Sequence, residues 1–127
     1  MTSTYLIVDD SPIIRRVLNR CLGMSGLPAD RILEAADGEA AWDVLSSEPI
    51  ACLFCDLHMP GLDGIGLLQR LADRGLLHDL PVVVISSDRS RDRITSLMTL
   101  GVRAFLTKPF TPEQIYETAG RVMGVRA

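Results

Sequence analysis

The sequence predicts an α/β domain: a five-stranded parallel sheet in the order 2-1-3-4-5, flanked by five helices. Three observations lead there. Short apolar runs of strand length alternate five times with helical patterns, with no internal repeat and no low-complexity linker. That alternation is the signature of parallel strands joined by right-handed helical crossovers, with helices on both faces. The run Val82-Val83-Val84-Ile85 is continuously β-branched, as expected of a strand covered on both sides. The chain has 127 residues, enough for one well-buried core, and of the two common doubly wound orders 2-1-3-4-5 suits five units in that length.

The elements follow in order. Tyr5 to Val8 is a short apolar strand running into Asp9-Asp10. Ser11-Pro12 starts a helix, Ser as N-cap and Pro at the first helical position. Ile13, Ile14, Val17, Leu18, Cys21 and Leu22 recur at three- and four-residue spacing and predict one apolar face, opposite Arg15, Arg16, Asn19 and Arg20. The stretch from Gly23 to Pro28 ends the helix. Arg31 to Ala36 is the second strand. Asp37-Gly38 turns into a helix over about Glu39 to Ser47, with Ala41, Val44 and Leu45 inward and Trp42 off the stripe as partly exposed packing.

Ile50 to Cys55, between Pro49 and a turn rich in breakers (Pro60, Gly61, Gly64), reads as a fully buried third strand that delivers Asp56 at its carboxyl end. A helix follows from Gly64 to about Arg74, with Ile65, Leu68, Leu71 and Ala72 facing the core. Pro81 opens the fourth strand, where a missing donor is tolerated, and Ser86-Ser87-Asp88 ends it. The fourth helix spans about Ser90 to Leu100, with Ile94, Leu97 and Met98 inward and Arg89, Arg91 and Arg93 around its start; Gly101 stops it. The fifth strand is Val102 to Thr107. Thr111-Pro112-Glu113-Gln114 is a capping sequence for a last helix that buries Ile115, Ala119, Val122 and Met123.

Composition narrows the function classes. At 47% hydrophobic and 23% charged, with a net charge of −3, the chain reads as an ordinary globular domain without a basic footprint for nucleic acid. No apolar stretch approaches membrane-spanning length, and no signal-peptide pattern opens the chain. Three cysteines without a secretory signal read as free thiols in a reducing cytoplasm. Cys52 and Cys55 are spaced as a CxxC, but three positions apart on a strand they point to opposite faces and cannot share a metal or a disulfide. Gly61, Gly64 and Gly66 do not make a dinucleotide-binding glycine pattern, because their spacing is reversed and a turn precedes them.

Chemistry gathers at the strand ends. The first strand ends in Asp9-Asp10, the third in Asp56, the fourth in Ser86 and the fifth in Lys108. In a parallel sheet all carboxyl ends share one edge. In the order 2-1-3-4-5 the first and third strands are neighbours at the switch point, where ligands bind. Three carboxylates crowded there repel. A hard divalent cation relieves the repulsion, and Mg2+ fits best because it accepts a few carboxylates, keeps waters and leaves room for phosphate; Mn2+ is the alternative. Lys108 adds a positive charge and Ser86 a hydroxyl. Carboxylate nucleophile, metal, lysine and hydroxyl are the parts that phosphoryl transfer needs. Singly, Asp9-Asp10 would be a helix-start acid pair, Ser86 a cap, Lys108 a solvated lysine and Phe105 a core residue. His58 and His78 have no partner at ligand spacing, and neither is taken as a catalyst.

Val8-Asp9-Asp10-Ser11, Asp56 through Gly64, Val84-Ile85-Ser86-Ser87 and Thr107-Lys108-Pro109-Phe110 together resemble a response-regulator receiver domain, with its flavodoxin-like fold. The likeness covers nearly the whole chain, so residues 1–127 are expected to form a single receiver unit. Ser11 with Arg15-Arg16, and the run from Lys108 to Gln114, look most like single-domain chemotaxis-type regulators. The resemblance implies that Asp56 takes a phosphoryl group from a sensor histidine kinase or a histidine phosphotransfer protein. It implies that Asp10, Asp56 and the backbone carbonyl of His58 hold Mg2+, with Asp9 acting largely through water. Lys108 would pair with the phosphoryl group, Ser86 would hydrogen-bond it, and Lys108-Pro109 would be cis. Phe105 stands at the family's aromatic switch position, and output would pass to a downstream protein through the face of the fourth helix, fifth strand and fifth helix.

Five positions depart from the commonest pattern or carry tuning roles. Phe105 lacks the hydroxyl of the more usual tyrosine, and Ser86 lacks the methyl of threonine. Ser87 stands where a very small residue is usual and would crowd the phosphoryl oxygens. His58 and Asp88 occupy positions that tune how long the acyl phosphate survives. The competing readings are a receiver cut from a larger regulator or hybrid kinase, a small Mg2+-dependent phosphatase passing through an aspartyl phosphate, and an unphosphorylated docking module. The phosphatase reading is weakened because His58 stands where haloacid-dehalogenase-like enzymes want a second acid.

Overall fold

The computed structural model describes residues 3–124. In chain order the elements are β1 (Thr4–Val8), α1 (Pro12–Gly23), β2 (Arg31–Ala35), α2 (Gly38–Ser47), β3 (Cys52–Cys55), α3 (Gly64–Asp73), β4 (Val82–Ser86), α4 (Arg91–Leu100), β5 (Ala104–Thr107) and α5 (Pro112–Met123). The strands form one sheet in the order β2-β1-β3-β4-β5, and every neighbouring pair is parallel. The expected order and alternation are therefore those of the folded chain.

Side chains alternate across the sheet and so divide the core into two layers. Leu6, Val8, Leu53, Cys55, Val82 and Val84 pack with Ala41 of α2, Leu67, Leu68 and Leu71 of α3, and Leu97 of α4. Tyr5, Ile7, Cys52, Phe54, Val83, Ile85 and Ala104 pack with Leu18, Cys21 and Leu22 of α1 and with Ile115 and Ala119 of α5. Cys52 and Cys55 thus lie in different layers, as the strand alternation requires. Burial pushes the Cys52 thiol up to about 12 and the Cys55 thiol further still, so neither is ionised for redox or metal chemistry near neutral pH.

Each helix starts on a side-chain cap. Ser11, Asp37, Asp63, Ser90 and Thr111 accept hydrogen bonds from the backbone N–H three residues on. At α5 the cap is the full capping box, with the Gln114 side chain accepting from the Thr111 N–H. Each cap satisfies an N–H that has no partner inside its helix.

Several expectations from periodicity need correction. Ile13 and Val17 of α1 are 71% and 42% exposed. The sheet takes only the row of Ile14, Leu18, Cys21 and Leu22, and Ile13 and Val17 flank it. Met98 is 45% exposed, because at about 100° per residue it sits well round from Leu97, the buried centre of α4. The third strand begins at Cys52 and not Ile50, and the fifth at Ala104 and not Val102. Leu67 and Thr118, absent from the expected faces, are buried. Trp42 is half-buried off the α2 stripe as expected, with the guanidiniums of Arg70 and Arg74 each 5.2 Å from its ring centre.

Candidate functional site

Sheet register puts the acids together. Val8 and Cys55 are partners across β1 and β3, so the residues that follow them, Asp9 and Asp56, leave the sheet side by side. Asp56 N–H still donates to the Val8 carbonyl at 2.9 Å, and Asp9 N–H to the Ala35 carbonyl at 3.2 Å. Carboxylate oxygens of Asp9, Asp10 and Asp56 lie within 4.8 Å of one another. Asp9 is 1% exposed and Asp56 7%, while Asp10 faces solvent. Two of the acids are walled in by protein, and the third opens the cluster to water.

Lys108 reaches this cluster from the end of β5. Its Nζ donates to Asp9 Oδ2 at 2.9 Å and to Asp56 Oδ2 at 3.3 Å. Burial alone would push the ammonium's pKa down, but the hydrogen bond to Asp9 and the charges of Asp56 and Asp9 outweigh it and hold the pKa above the ordinary lysine value. The Lys108 N–H donates to the Ser86 carbonyl at 2.9 Å, and the Lys108–Pro109 bond is cis. The carboxylates themselves are fixed by backbone donors. Leu57 N–H binds Asp56 Oδ1 at 2.7 Å, and Ser11 N–H binds Asp9 Oδ1 at 2.9 Å.

The donor set fits a hard divalent cation. The clustered donors are all carboxylate oxygens, as Mg2+ and Mn2+ prefer, and one side is open for waters and a phosphate oxygen. Three formal negative charges face a single ammonium, which leaves negative charge for a cation to balance.

Ser86 closes the next corner. It is fully buried, and its Oγ accepts from the Asp88 N–H at 3.2 Å, which leaves the hydroxyl proton available to donate. Asp88 gathers three contacts: its Oδ1 accepts from Ser90 N–H at 2.9 Å, and its Oδ2 lies 3.5 Å from His58 Nε2 and 3.7 Å from Arg93 Nε. The backbone hydrogen bond from Ser90 leads in holding the Asp88 carboxyl below its usual range, with His58 and Arg93 adding to it. Ser87 is exposed, and Phe105 is half-buried against the layer that holds α2, α3 and α4.

Asp9, Asp10, Asp56 and Lys108 therefore meet as the strand ends predict, with Ser86 beside them. Sequence reasoning missed the His58–Asp88 pair, which joins two loops 30 residues apart. It also missed how tightly glycine is required nearby. A Cβ on Gly64 would stand 1.9 Å from the Asp56 carbonyl oxygen, and one on Gly38 would stand 2.3 Å from the Leu62 carbonyl oxygen. Gly64 lets the start of α3 pass directly against the backbone of Asp56. The turn signal marked Gly64 as a breaker, but only packing reveals this contact. Arg15, read only as part of the polar face of the first helix, donates to the Asp9 carbonyl at 2.6 Å.

The chain is similar to known proteins. Residues 5–119 match the family described as the response regulator receiver domain. The chain is 36% identical over 118 residues to the chemotaxis protein CheY of Pseudomonas aeruginosa, covering 92% of this chain and 93% of that one. It is 39% identical over 113 residues to response regulator GtcR of Aneurinibacillus migulanus, covering 88% of this chain and 44% of that protein. Among solved structures, a response regulator receiver protein from Burkholderia phymatum superposes with a TM-score of 0.80 at 30% identity, covering 99% and 98% of the two chains.

Proposed function

The chain belongs to the response-regulator receiver family, and from that membership we propose that it is a phosphorylation switch in which Asp56 is the phosphoryl acceptor. The observation that carries this reading is the Lys108 ammonium shared between Asp9 and Asp56 inside a cluster of three carboxylates. Asp56 is held by the Leu57 N–H on one oxygen, so its carboxylate cannot spin freely. In the proposed reaction a carboxylate oxygen of Asp56 attacks the phosphorus of a phosphohistidine on a sensor kinase or phosphotransfer protein. The P–N bond breaks, the imidazole leaves with the electron pair, and an acyl phosphate remains on Asp56.

Asp10, Asp56 and the His58 carbonyl are the proposed metal ligands, with Asp9 supporting them. A Mg2+ held by these residues would supply positive charge against the phosphoryl oxygens. Lys108, released from Asp9 and Asp56, pairs with a phosphoryl oxygen, and Ser86 donates its hydroxyl proton to another. The phosphoryl group brings about −2 in charge. Ser86 is drawn toward it, Phe105 moves inward, and the face of α4, β5 and α5 is remodelled for a target protein. Full reversal of such a two-state equilibrium, from 1:99 to 99:1, takes about 5.5 kcal/mol of differential stabilisation. His58, Ser87 and Asp88, at the mouth, set how long the acyl phosphate lasts. The near end-to-end match to a chemotaxis protein supports a motility output.

The test is intact mass after incubation with Mg2+ and acetyl phosphate. Wild type is expected to gain one hydrolysable phosphoryl group, and Asp56→Asn none. Equal labelling of both proteins would sink the assignment of Asp56, and steady turnover of a generic phosphomonoester would favour a phosphatase instead. The match to GtcR takes in under half of that protein, which supports a second reading, a receiver that works within a larger regulator. Phosphorylation at Asp56 is common to both readings.

A further inference from the structure

We propose that Arg15 is a positioning residue for the acid corner: its guanidinium locks the peptide plane between Asp9 and Asp10 and so aims the Asp10 carboxylate at the metal. This rests on the metal reading of the three acids.

Arg15 Nη1 donates to the carbonyl oxygen of Asp9 at 2.6 Å. That carbonyl belongs to the peptide unit whose N–H is that of Asp10. Rotating the unit would swing Asp10 about its own Cα. Asp10 faces solvent, so packing gives its side chain little direction and its aim depends on the backbone beneath it. The preceding peptide is already held, because Asp9 N–H donates to the Ala35 carbonyl at 3.2 Å. The following one is held by Ser11 N–H on Asp9 Oδ1 at 2.9 Å. The Arg15 contact closes the remaining degree of freedom.

Arg15 is itself braced. Its Nε donates to Glu34 Oε1 at 3.1 Å, and Asn19 Nδ2 donates to the other oxygen, Oε2, at 3.0 Å. Glu34 sits on β2 opposite Ile7 of β1, so the brace ties α1 to the sheet beside the acids. An exposed Arg–Glu pair by itself contributes little to stability. This one differs in two respects: the Arg15 side chain is only 17% exposed, and its second donor lands on backbone at the site. A guanidinium delivers two fixed donor directions at once, which an ammonium cannot. Groups that orient metal ligands in this way change metal affinity by about 10- to 100-fold when removed.

The experiment is a Mg2+ titration of the full chain, followed through the amide resonances of Asp10 and Ser11, with thermal midpoints measured in EDTA. Arg15→Gln and Arg15→Lys are both expected to weaken Mg2+ binding about 10-fold while distant amides keep their positions. Glu34→Gln should weaken it less, in the same direction. Should Arg15→Gln not fold, Arg15→Lys and Glu34→Gln carry the test. Wild-type affinity in Arg15→Lys would mean that charge alone suffices and would overturn the proposal. So would variants that melt earlier but bind Mg2+ as wild type does, since that is the behaviour of a purely structural brace. Absence of any Mg2+ response in wild type would instead overturn the metal reading underneath.

Discussion

The two halves of the site are built differently. At the β1–β3 half, backbone and buried side chains do the holding. Asp9 and Asp56 follow register partners, each carboxylate takes a backbone N–H, and Gly64 seats α3 against the Asp56 carbonyl. At the β4–β5 half, Ser86 is buried, but its neighbours are joined by longer contacts between partly exposed groups. Asp88 reaches His58 at 3.5 Å and Arg93 at 3.7 Å, and Arg89 reaches the Lys108 carbonyl at 3.4 Å. Contacts of that kind are each weak and easily exchanged. The acids therefore form the fixed part of the site, and the segment from Ser87 to Ser90, held by the longer contacts, is the part that can rearrange at lower cost.

The largest expected effect lies in the fixed half. Gly64→Ala places a methyl where the Asp56 carbonyl stands, and only a backbone shift relieves it. We expect a loss of about 3 kcal/mol or more in urea unfolding, with phosphoryl incorporation from acetyl phosphate falling in the protein that remains folded. Wild-type stability in this variant would break the comparison at its strongest point.

Lys108→Ala tests the strut between the halves. It leaves two buried carboxylates facing each other unpaired, and should cost about 2 kcal/mol, less than for a wholly buried pair because Lys108 is partly exposed. The pH dependence has a definite sign. The Lys108 pKa is raised on folding, so its contribution is fully present below the ordinary lysine value and is lost as pH rises through the higher folded value. The gap in thermal midpoint between wild type and Lys108→Ala should hold steady through neutral pH and close in strong alkali. A gap that closes on acidification alone would assign the effect to the carboxylates.

Asp88→Asn should have the smallest effect on stability, leaving the urea midpoint close to that of wild type. What remains of it runs the other way with pH. The folded Asp88 pKa is depressed, so the contribution is present above the ordinary carboxylate range and is lost as pH falls through the lower folded value. Its visible effect should be kinetic: a changed decay rate of the acyl phosphate, followed by intact mass. A decay rate equal to wild type would remove Asp88 from the set of lifetime residues.

Much of this architecture was legible in the chain. Alternating apolar runs and capped helix starts are local patterns, fixed by side-chain spacing within one element, and they announced five strands and five helices; the strand order followed from which doubly wound order suits five units in this length. Because parallel strands share an edge, the same patterns placed Asp9, Asp10, Asp56, Ser86 and Lys108 together before any distance was known. Tertiary structure alone decided the rest. It made Ile13 and Met98 surface residues, since periodicity locates an apolar face but its partner sets how wide a strip is covered. It made Arg15, on the polar face of α1, a brace on Asp9, and Gly64, marked in the sequence as a breaker, the seat of Asp56. Arg15 lies only six residues from Asp9 and Gly64 only eight from Asp56, but each contact joins different structural elements, and hydrogen bonds or close approaches of that kind leave no periodic trace in either segment.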